Sequence, residues 1–253
     1  MNKIFKNPII LALDVNSLTK AQSILSDLKS HIGGVKLGME FFNSFGPDGV
    51  REISKLGMEF FNSFGPDGVK EISKFDIPIF LDLKLHDIPV TVYKTVKTLM
   101  ELDIAIINVH SSGGRDMLEA AAKARSEFKD KSTKLIAVTV LTSLDDNDIE
   151  EIGYKDNSED LVLRLASLAK DSGLDGVVCS AKEISLIKSK LGKNFILVVP
   201  GIRLEKDNKN DQKRVMSPKK AINAGADLLV IGRPITDAKD PLKTIDNILE
   251  NIK

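Results

Sequence analysis

The chain of 253 residues contains no tryptophan, one cysteine and only 5% aromatic residues. The scarcity of aromatic rings argues against a surface that binds nucleic acids by base stacking. A single cysteine excludes an internal disulfide and is typical of a protein in a reducing cytosol. Lysine plus arginine and aspartate plus glutamate both number 36. We therefore expect no net field that would attract a nucleic acid or an anionic membrane.

Long apolar runs are also missing. No run approaches the roughly 18 residues that a membrane span requires, and the N-terminus lacks the apolar core of a signal peptide. These absences predict a soluble, cytoplasmic globular protein. Its length suffices for one large core and is typical of a single (β/α)₈ barrel.

Short apolar segments alternate with helical patterns along the whole chain. Near-continuous runs of Val, Ile and Leu are typical of parallel strands that are covered on both faces. The sequence therefore predicts an α/β fold, a single-domain TIM barrel over residues 1–253. A doubly wound sheet is the alternative, but it would leave eight strand ends without a shared mouth. The predicted strands are Ile9–Leu13, Gly33–Gly38, Ile77–Leu83, Ile104–His110, Leu135–Leu141, Gly176–Ser180, Phe195–Val199 and Asp227–Ile231.

The third predicted strand ends in a cluster of charges, FLDLKLHDIP at Phe80–Pro89. Asp82 and Lys84 are two residues apart and therefore share one face of the strand. An isolated Asp-x-Lys is usually a surface ion pair. Here the strand is apolar on both sides, so it is central, and the pair lies at its carboxyl end. We expect both side chains to point into the space that the strand encloses, and a helix to begin at Thr91 after Pro89.

All strands of a TIM barrel end at one face, so their last residues share one mouth. A Gly-Arg pair after the eighth strand is placed where such barrels bind phosphate, although a simple turn is the alternative reading. The three histidines are not at ligand spacing, so we expect no metal site. Cys179 is interpreted as a small apolar filler. The residues at the strand ends are Asp14, Lys36, Asp82, Lys84, His110, Thr142, Ser143, Cys179, Pro200, Gly232 and Arg233.

A tandem duplication interrupts the pattern, because Lys36–Ser54 is repeated as Lys55–Ser73 with Arg51 changed to Lys70. One copy is too short and solitary to be a solenoid repeat. Lys36 follows the strand-like Gly33-Gly34-Val35, whereas Lys55 follows a helical pattern. We therefore expect Lys36 in the site and residues 55–73 as an insert between strands two and three.

A second irregular segment, Ile202–Ser217, is polar and has no periodicity. It is long for a loop in a compact domain, which leaves two interpretations, a lid or a disordered segment.

The sequence resembles a known protein family. Phe80–Val92, FLDLKLHDIPVTV, is similar to the signature of the orotidine 5′-phosphate decarboxylases of bacterial type. Further motifs follow in family order along the whole chain: LALD at 11–14, VKLG at 35–38, NVHSSGG at 108–114, AVTVLTS at 137–143, DGVVCSA at 175–181, PGIR at 200–203, DQKR at 211–214 and IGRPIT at 231–236. Two features depart from the pattern, the duplication and Val90, where bacterial relatives usually have Asn.

The resemblance implies a reaction and a core of catalytic residues. The expected reaction is decarboxylation of orotidine 5′-monophosphate to uridine 5′-monophosphate, the last step of de novo pyrimidine nucleotide biosynthesis, without metal or organic cofactor. Lys84 would be the proton donor, and Asp82 would lie between Lys36 and Lys84. Asp87, with Thr91 beside it, would reach the neighbouring site of a homodimer.

The remaining expected substrate contacts also follow from the resemblance. Asp14 and Lys36 would bind the ribose hydroxyls, and Thr142-Ser143 would meet the pyrimidine edge. The phosphate would be bound under a lid by Arg203, Gln212, Gly232 and Arg233.

Two alternatives remain open at this stage. A phosphosugar aldolase or synthase of the same barrel superfamily shares the D-x-K-x-x-D strand but uses a divalent metal. The second alternative is a catalytically inactive remnant of such an enzyme, because the duplication lengthens the chain between two strands that carry catalytic residues.

Overall fold

A computed structural model describes residues 4–15, 17–37, 66, 67, 69–204 and 216–252. Eight parallel strands pair in chain order, and the last pairs with the first to close a barrel. The fold is therefore the predicted (β/α)₈ barrel, and its strand ends share one mouth. The strands are β1 Ile9–Ala12, β2 Gly34–Leu37, β3 Ile79–Leu85, β4 Ile106–His110, β5 Lys134–Val138, β6 Gly176–Val178, β7 Ile196–Val199 and β8 Leu228–Ile231.

Helices cover the outside of the barrel. Residues 66, 67 and 69–73 are helical and precede β3. None of the helices in the described part of the chain is long and apolar enough to cross a membrane. The other helices are α1 Leu18–Leu28, α2 Pro89–Leu99, α3 Arg115–Ser126, α4 Asp146–Glu151, α5 Ser158–Asp171, α6 Ile184–Leu191, α7 Pro218–Ala224, α8 Arg233–Thr236 and α9 Pro241–Asn251.

Strict alternation along the strands divides the core into two layers. Ile10 and Phe80 point inward, where they pack with residues such as Ile136 in the barrel interior. Their neighbours Leu11 and Leu81 point outward into the larger layer between barrel and helices. Successive residues of a strand face opposite sides. Polar residues that face inward nearer the carboxyl ends of the strands therefore lie at the mouth, above the apolar plug formed by the interior layer.

Local signals explain where several helices begin. Ser17 caps α1, since its Oγ accepts a hydrogen bond from the Lys20 N–H at 3.3 Å. Asp145 and Asp148 form a reciprocal capping box at the start of α4. Pro89 is the first residue of α2, a position where its missing N–H costs nothing.

The structure corrects some predicted boundaries. Strand β3 runs from Ile79 to Leu85, two residues later than predicted, so Lys84 lies inside the strand. Helix α2 begins at Pro89 and not at Thr91, because proline at the first helical position fixes a helical φ. The short helices α4 and α8 were not predicted, since four to six residues carry too little periodicity to reveal a helix.

Candidate active site

Three adjacent strands bring four inward-facing polar residues together at the mouth of the barrel. Lys36 comes from β2, Asp82 and Lys84 from β3, and Asn108 from β4. The parallel register sets Lys36 opposite Phe80, one inward position before Asp82. The apolar plug formed by Phe80 and its neighbours therefore lies directly beneath these polar groups.

Asp82 is the centre of the group and is only 7% exposed. Its Oδ1 accepts hydrogen bonds from Lys84 Nζ at 2.7 Å and Asn108 Nδ2 at 2.7 Å. Its Oδ2 lies 3.3 Å from Lys36 Nζ, and that ammonium also reaches Asp14 Oδ1 at 3.4 Å. Charges of opposite sign thus alternate in one connected chain, in the order Asp14, Lys36, Asp82, Lys84.

The charges in this chain stabilise one another. Burial raises the pKa of Asp82, but Lys36 and Lys84 outweigh burial and bring that pKa from 3.8 down to about 2. Burial also opposes the charge on Lys36, yet Asp82 and Asp14 together raise the pKa of this lysine. Asp82 is therefore an anion and Lys36 a cation at neutral pH, in a mouth largely removed from water.

Lys84 is placed by an irregularity in the sheet. Leu81 and Leu85 are four residues apart in β3, but their partners in β4, Ile107 and Val109, are only two residues apart. Strand β3 therefore carries two extra residues between these pairs. Lys84 takes a left-handed conformation with φ 50°. This conformation is energetically unfavourable for any residue that has a side chain. Its N–H donates to Asn108 Oδ1 at 2.7 Å, in place of a regular ladder bond.

Asn108 is the part of this group that sequence reasoning missed. It is fully buried and bonds both the Asp82 carboxylate and the Lys84 backbone. The available signal was an amide inside the apolar run Ile106–Val109, because a buried polar side chain must find partners. The NVH motif contributes to the family resemblance, but the sequence alone assigns no role to its first residue.

His110 and His86 lie beside the charged chain, with ring centroids 5.5 Å apart. Burial, His86 and Lys84 lower the pKa of His110 to about 4, so the ring is neutral at neutral pH. Within the described residues, no group of three or more His, Cys, Asp or Glu is arranged to hold a metal ion.

The turn after β8 lies next to the start of the charged chain. A Cβ atom at Gly232 would lie 3.2 Å from Ala12 Cβ and 3.9 Å from Asp14 Oδ2. This close approach explains a glycine at the position. Arg233 follows as the first residue of α8 and is exposed.

The predicted lid segment has a defined base. Ile202 pairs with Met216 in an isolated bridge, and the Arg203 N–H donates to Met216 O at 3.1 Å. The two ends of the polar segment are thereby fixed beside each other after β7. Gln212 and residues 205–215 lie outside the described part of the chain.

Other predicted site residues are not in the charged chain. Thr142 and Ser143 form a turn after β5. Asp87 and Thr91 are exposed, and the Asp87 carboxylate accepts a hydrogen bond from the Ile88 N–H at 2.7 Å. Cys179 points outward into the core and is fully buried, and burial strongly raises the pKa of its thiol. Cys179 is thus a core residue, as the filler interpretation predicted.

The first copy of the duplicated segment begins in β2. Lys36 and Leu37 belong to β2, whereas Lys55 lies outside the described residues. A Cβ at Gly33 would meet Asn7 O at 2.0 Å, and one at Gly34 would meet Pro78 O at 2.7 Å. At the equivalent places before Lys55, the chain has Glu52 and Ile53, which are residues of the first copy. Backbone contacts this close exclude those side chains, so the entry to β2 requires the two glycines.

Comparisons with known proteins agree with the fold. The pattern of the orotidine 5′-phosphate decarboxylase / HUMPS family matches residues 53–248. An orotidine 5′-phosphate decarboxylase of Ehrlichia canis is 47% identical over 246 residues, which are 97% of this chain and 98% of that protein. One of Wolbachia pipientis is 44% identical over 246 residues, covering 97% and 99% of the two chains.

A solved structure supports the same assignment. The crystal structure of orotidine 5′-phosphate decarboxylase from Lactobacillus acidophilus superposes with a TM-score of 0.78 at 34% identity, covering 98% of this chain and all of that one. Similarity of this extent, in sequence and in fold, spans nearly the whole chain. The chain belongs to the orotidine 5′-phosphate decarboxylase / HUMPS family.

Proposed function

We propose that this protein decarboxylates orotidine 5′-monophosphate to uridine 5′-monophosphate and CO₂, the step that completes de novo pyrimidine nucleotide synthesis. Family membership supports the reaction class. The observation that carries the proposal is the Lys36–Asp82–Lys84 chain at the mouth of the barrel, in which Asp82 is buried and the two contacts measure 3.3 and 2.7 Å.

The chemistry explains why such a chain is needed. Loss of CO₂ from C6 of the pyrimidine leaves a vinyl carbanion whose electrons have no conjugated sink. The protein must therefore stabilise charge with groups that are already in place, which is the largest single contribution in most enzymes. Lys84 is the group we assign to this task. Its ammonium stabilises the developing anion and then delivers a proton to C6.

Asp82 and Lys36 prepare Lys84 for that role. At an effective dielectric near 20, opposite charges at 2.7 and 3.3 Å attract by about 6 and 5 kcal/mol before desolvation is counted. The Asp82 anion fixes the Lys84 ammonium at one position, and Lys36 keeps Asp82 ionised. In the bound complex, Asp82 lies close to the substrate carboxylate, whose repulsion is relieved when CO₂ leaves.

Substrate binding is assigned to the residues around this chain. Asp14 and Lys36 bind the ribose hydroxyls, and Thr142 with Ser143 contacts the pyrimidine edge. The phosphate is bound by backbone N–H groups and guanidinium at Gly232 and Arg233, with Arg203 and Gln212 from the segment that closes over it. Binding energy from a remote phosphate can then contribute to closure and to the chemical step.

The active site in this proposal is completed by a second subunit. Asp87 and Thr91 are exposed at the carboxyl end of β3 and the start of α2. Beside them Ile88 is 62% and Val90 53% exposed, and an exposed apolar patch of this kind favours a protein contact. We propose a homodimer in which each subunit lends Asp87 and Thr91 to its partner. A single barrel domain and a cytosolic location belong to the same proposal.

The proposal is tested by following orotidine 5′-monophosphate loss by ultraviolet absorbance. The unsubstituted chain should convert the nucleotide in excess EDTA as fast as without it, whereas a metal-dependent aldolase or synthase would lose activity. Lys84→Ala should abolish turnover and retain nucleotide binding, while Lys129→Ala, which changes an exposed lysine, should have no effect. Near-normal kcat in Lys84→Ala would contradict the assignment of the proton donor.

A further inference from the structure

The Asn108 amide is the only side chain among the described contacts that bonds both Lys84 and Asp82. Its Oδ1 accepts from the Lys84 backbone N–H, and its Nδ2 donates to Asp82 Oδ1, both at 2.7 Å. The same Asp82 oxygen accepts from Lys84 Nζ. One side chain thus contacts the backbone of Lys84 and the carboxylate that its ammonium binds.

The chemistry of these contacts fixes the orientation of the amide. The backbone N–H can only donate and an ionised carboxylate can only accept. Rotating the amide by 180° would set NH₂ against N–H and a carbonyl against Asp82, so only one orientation satisfies both partners. Asn108 is fully buried, so water cannot replace either bond, and a lost partner leaves a buried polar group unsatisfied.

The conformation of Lys84 shows what these bonds achieve. Its φ of 50° is unfavourable for a residue with a side chain, and its N–H has left the regular ladder with β4. A strained residue persists only where its surroundings hold it. The hydrogen bond to Asn108 Oδ1 supplies that support at the point where β3 carries its extra residues.

We propose that Asn108 is a positioning residue for decarboxylation, a role that rests on the proposed function. It keeps Lys84 in its left-handed conformation and orients Asp82 Oδ1, so that the ammonium lies where the carbanion forms. Asn108 acts through Lys84 and Asp82 and has no contact with substrate, because it is buried beneath them.

The test compares two substitutions of similar size. Asn108→Leu keeps the branched shape but makes neither bond. Loss of a hydrogen bond to a charged group should lower kcat roughly 10- to 100-fold, while KM changes by less than about threefold because Asn108 does not bind substrate. Circular dichroism and thermal unfolding establish whether the variant is folded.

Asn108→Asp supplies a readout that a general packing role would not give. The introduced carboxylate repels Asp82, and like charges raise the pKa of the pair. Once the pair takes up a proton, the O–H of the introduced acid can donate to Asp82 and its carbonyl can accept from Lys84, which restores the pattern of the amide. The titratable groups that Asn108 contacts are Asp82 and Lys84. Lys36 binds the same carboxylate, and His110, with His86 beside it, lies close enough to feel the charges of both residues.

The kcat of Asn108→Asp relative to the unsubstituted enzyme should therefore rise as pH falls from about 8 to about 5, whereas the ratio for Asn108→Leu should stay flat. An unchanged kcat in Asn108→Leu, or a ratio for Asn108→Asp that is independent of pH, would overturn the inference. If Asn108→Leu fails to fold, the pH dependence of Asn108→Asp decides. An unsubstituted chain without decarboxylase activity would instead refute the proposed function, and the inference would fall with it.

Discussion

The duplication allows a matched experiment, because Lys36 and Lys55 begin two copies of one sequence. Lys36 lies in the charged chain, whereas Lys55 lies outside the described residues. We predict that Lys36→Met will strongly lower kcat/KM and that Lys55→Met will not. Methionine keeps the length of the apolar stem and removes only the ammonium. Lys55→Met is an internal control, since the residues that follow it are the same.

The size of the effect follows from the contacts of Lys36. Its Nζ lies 3.3 Å from Asp82 Oδ2 and 3.4 Å from Asp14 Oδ1. Removing one partner of a buried ion pair costs about 3–5 kcal/mol. Lys84 and Asn108 still bind Asp82 Oδ1 in the variant, so we take the lower end. About 3 kcal/mol corresponds to a loss of at least about 100-fold in kcat/KM.

The measurement is steady-state loss of orotidine 5′-monophosphate absorbance, with thermal unfolding to verify that each variant is folded. Lys55→Met should stay within about twofold of the unsubstituted enzyme, because we expect Lys55 outside the site and substitutions away from such features usually have small effects. The reasoning is refuted if Lys36→Met retains more than a tenth of kcat/KM. A large loss of kcat/KM in Lys55→Met would show that the second copy supplies β2. That result would contradict the assignment of β2 from the close backbone contacts of Gly33 and Gly34.

Three further predictions concern Asp82, the dimer and the duplication. The pKa of Asp82 is lowered from 3.8 to about 2, so its ionisation stabilises the fold above about pH 4, and this contribution, on the order of 2 kcal/mol, is lost as pH falls towards 2. The difference in unfolding free energy between Asp82→Asn and the unsubstituted chain should therefore change over that pH range. A difference that stays constant would contradict the assignment. Mixing inactive Lys84→Ala with inactive Asp87→Ala should restore part of the activity through hybrid dimers, and no recovery after verified subunit exchange would count against shared sites. Deleting Lys55–Ser73 should leave a folded, active enzyme, which circular dichroism and the absorbance assay would check; an insoluble or inactive product would show that the second copy is indispensable.

Much of the barrel could be predicted because its strands are short, apolar and regularly spaced. β1, β7 and β8 differ from their predicted bounds by a single residue at one end, since each is bounded by polar or turn-forming residues. Alternation also placed Asp82 and Lys84 on one face with Leu81 and Leu83 on the other, and both leucines are in the outer layer of the core. These features depend on local sequence, which is why they were accessible.

The geometry of Lys84 could not be predicted, because it depends on pairing between strands. The two extra residues of β3 appear only when its register with β4 is known. Nothing in the sequence around Lys84 indicates a positive φ, as a glycine or asparagine would. Asn108 is 24 residues away from Lys84 in sequence, so its role follows only from the fold that brings the two together.

The described residues at the two ends of the duplicated region indicate how the barrel can contain it. Lys36 and Leu37 of the first copy form the end of β2, whereas Val69 and Ile72 of the second copy are buried in the core before β3. The strand entry is specific to the first copy, because only Gly33 and Gly34 fit against the neighbouring backbone. The two core positions have identical counterparts in the first copy, Val50 and Ile53. A chain shortened by one copy would thus retain both the required glycines and the required apolar pair, and the residues that bind Asp82 lie on strands that the duplication does not interrupt.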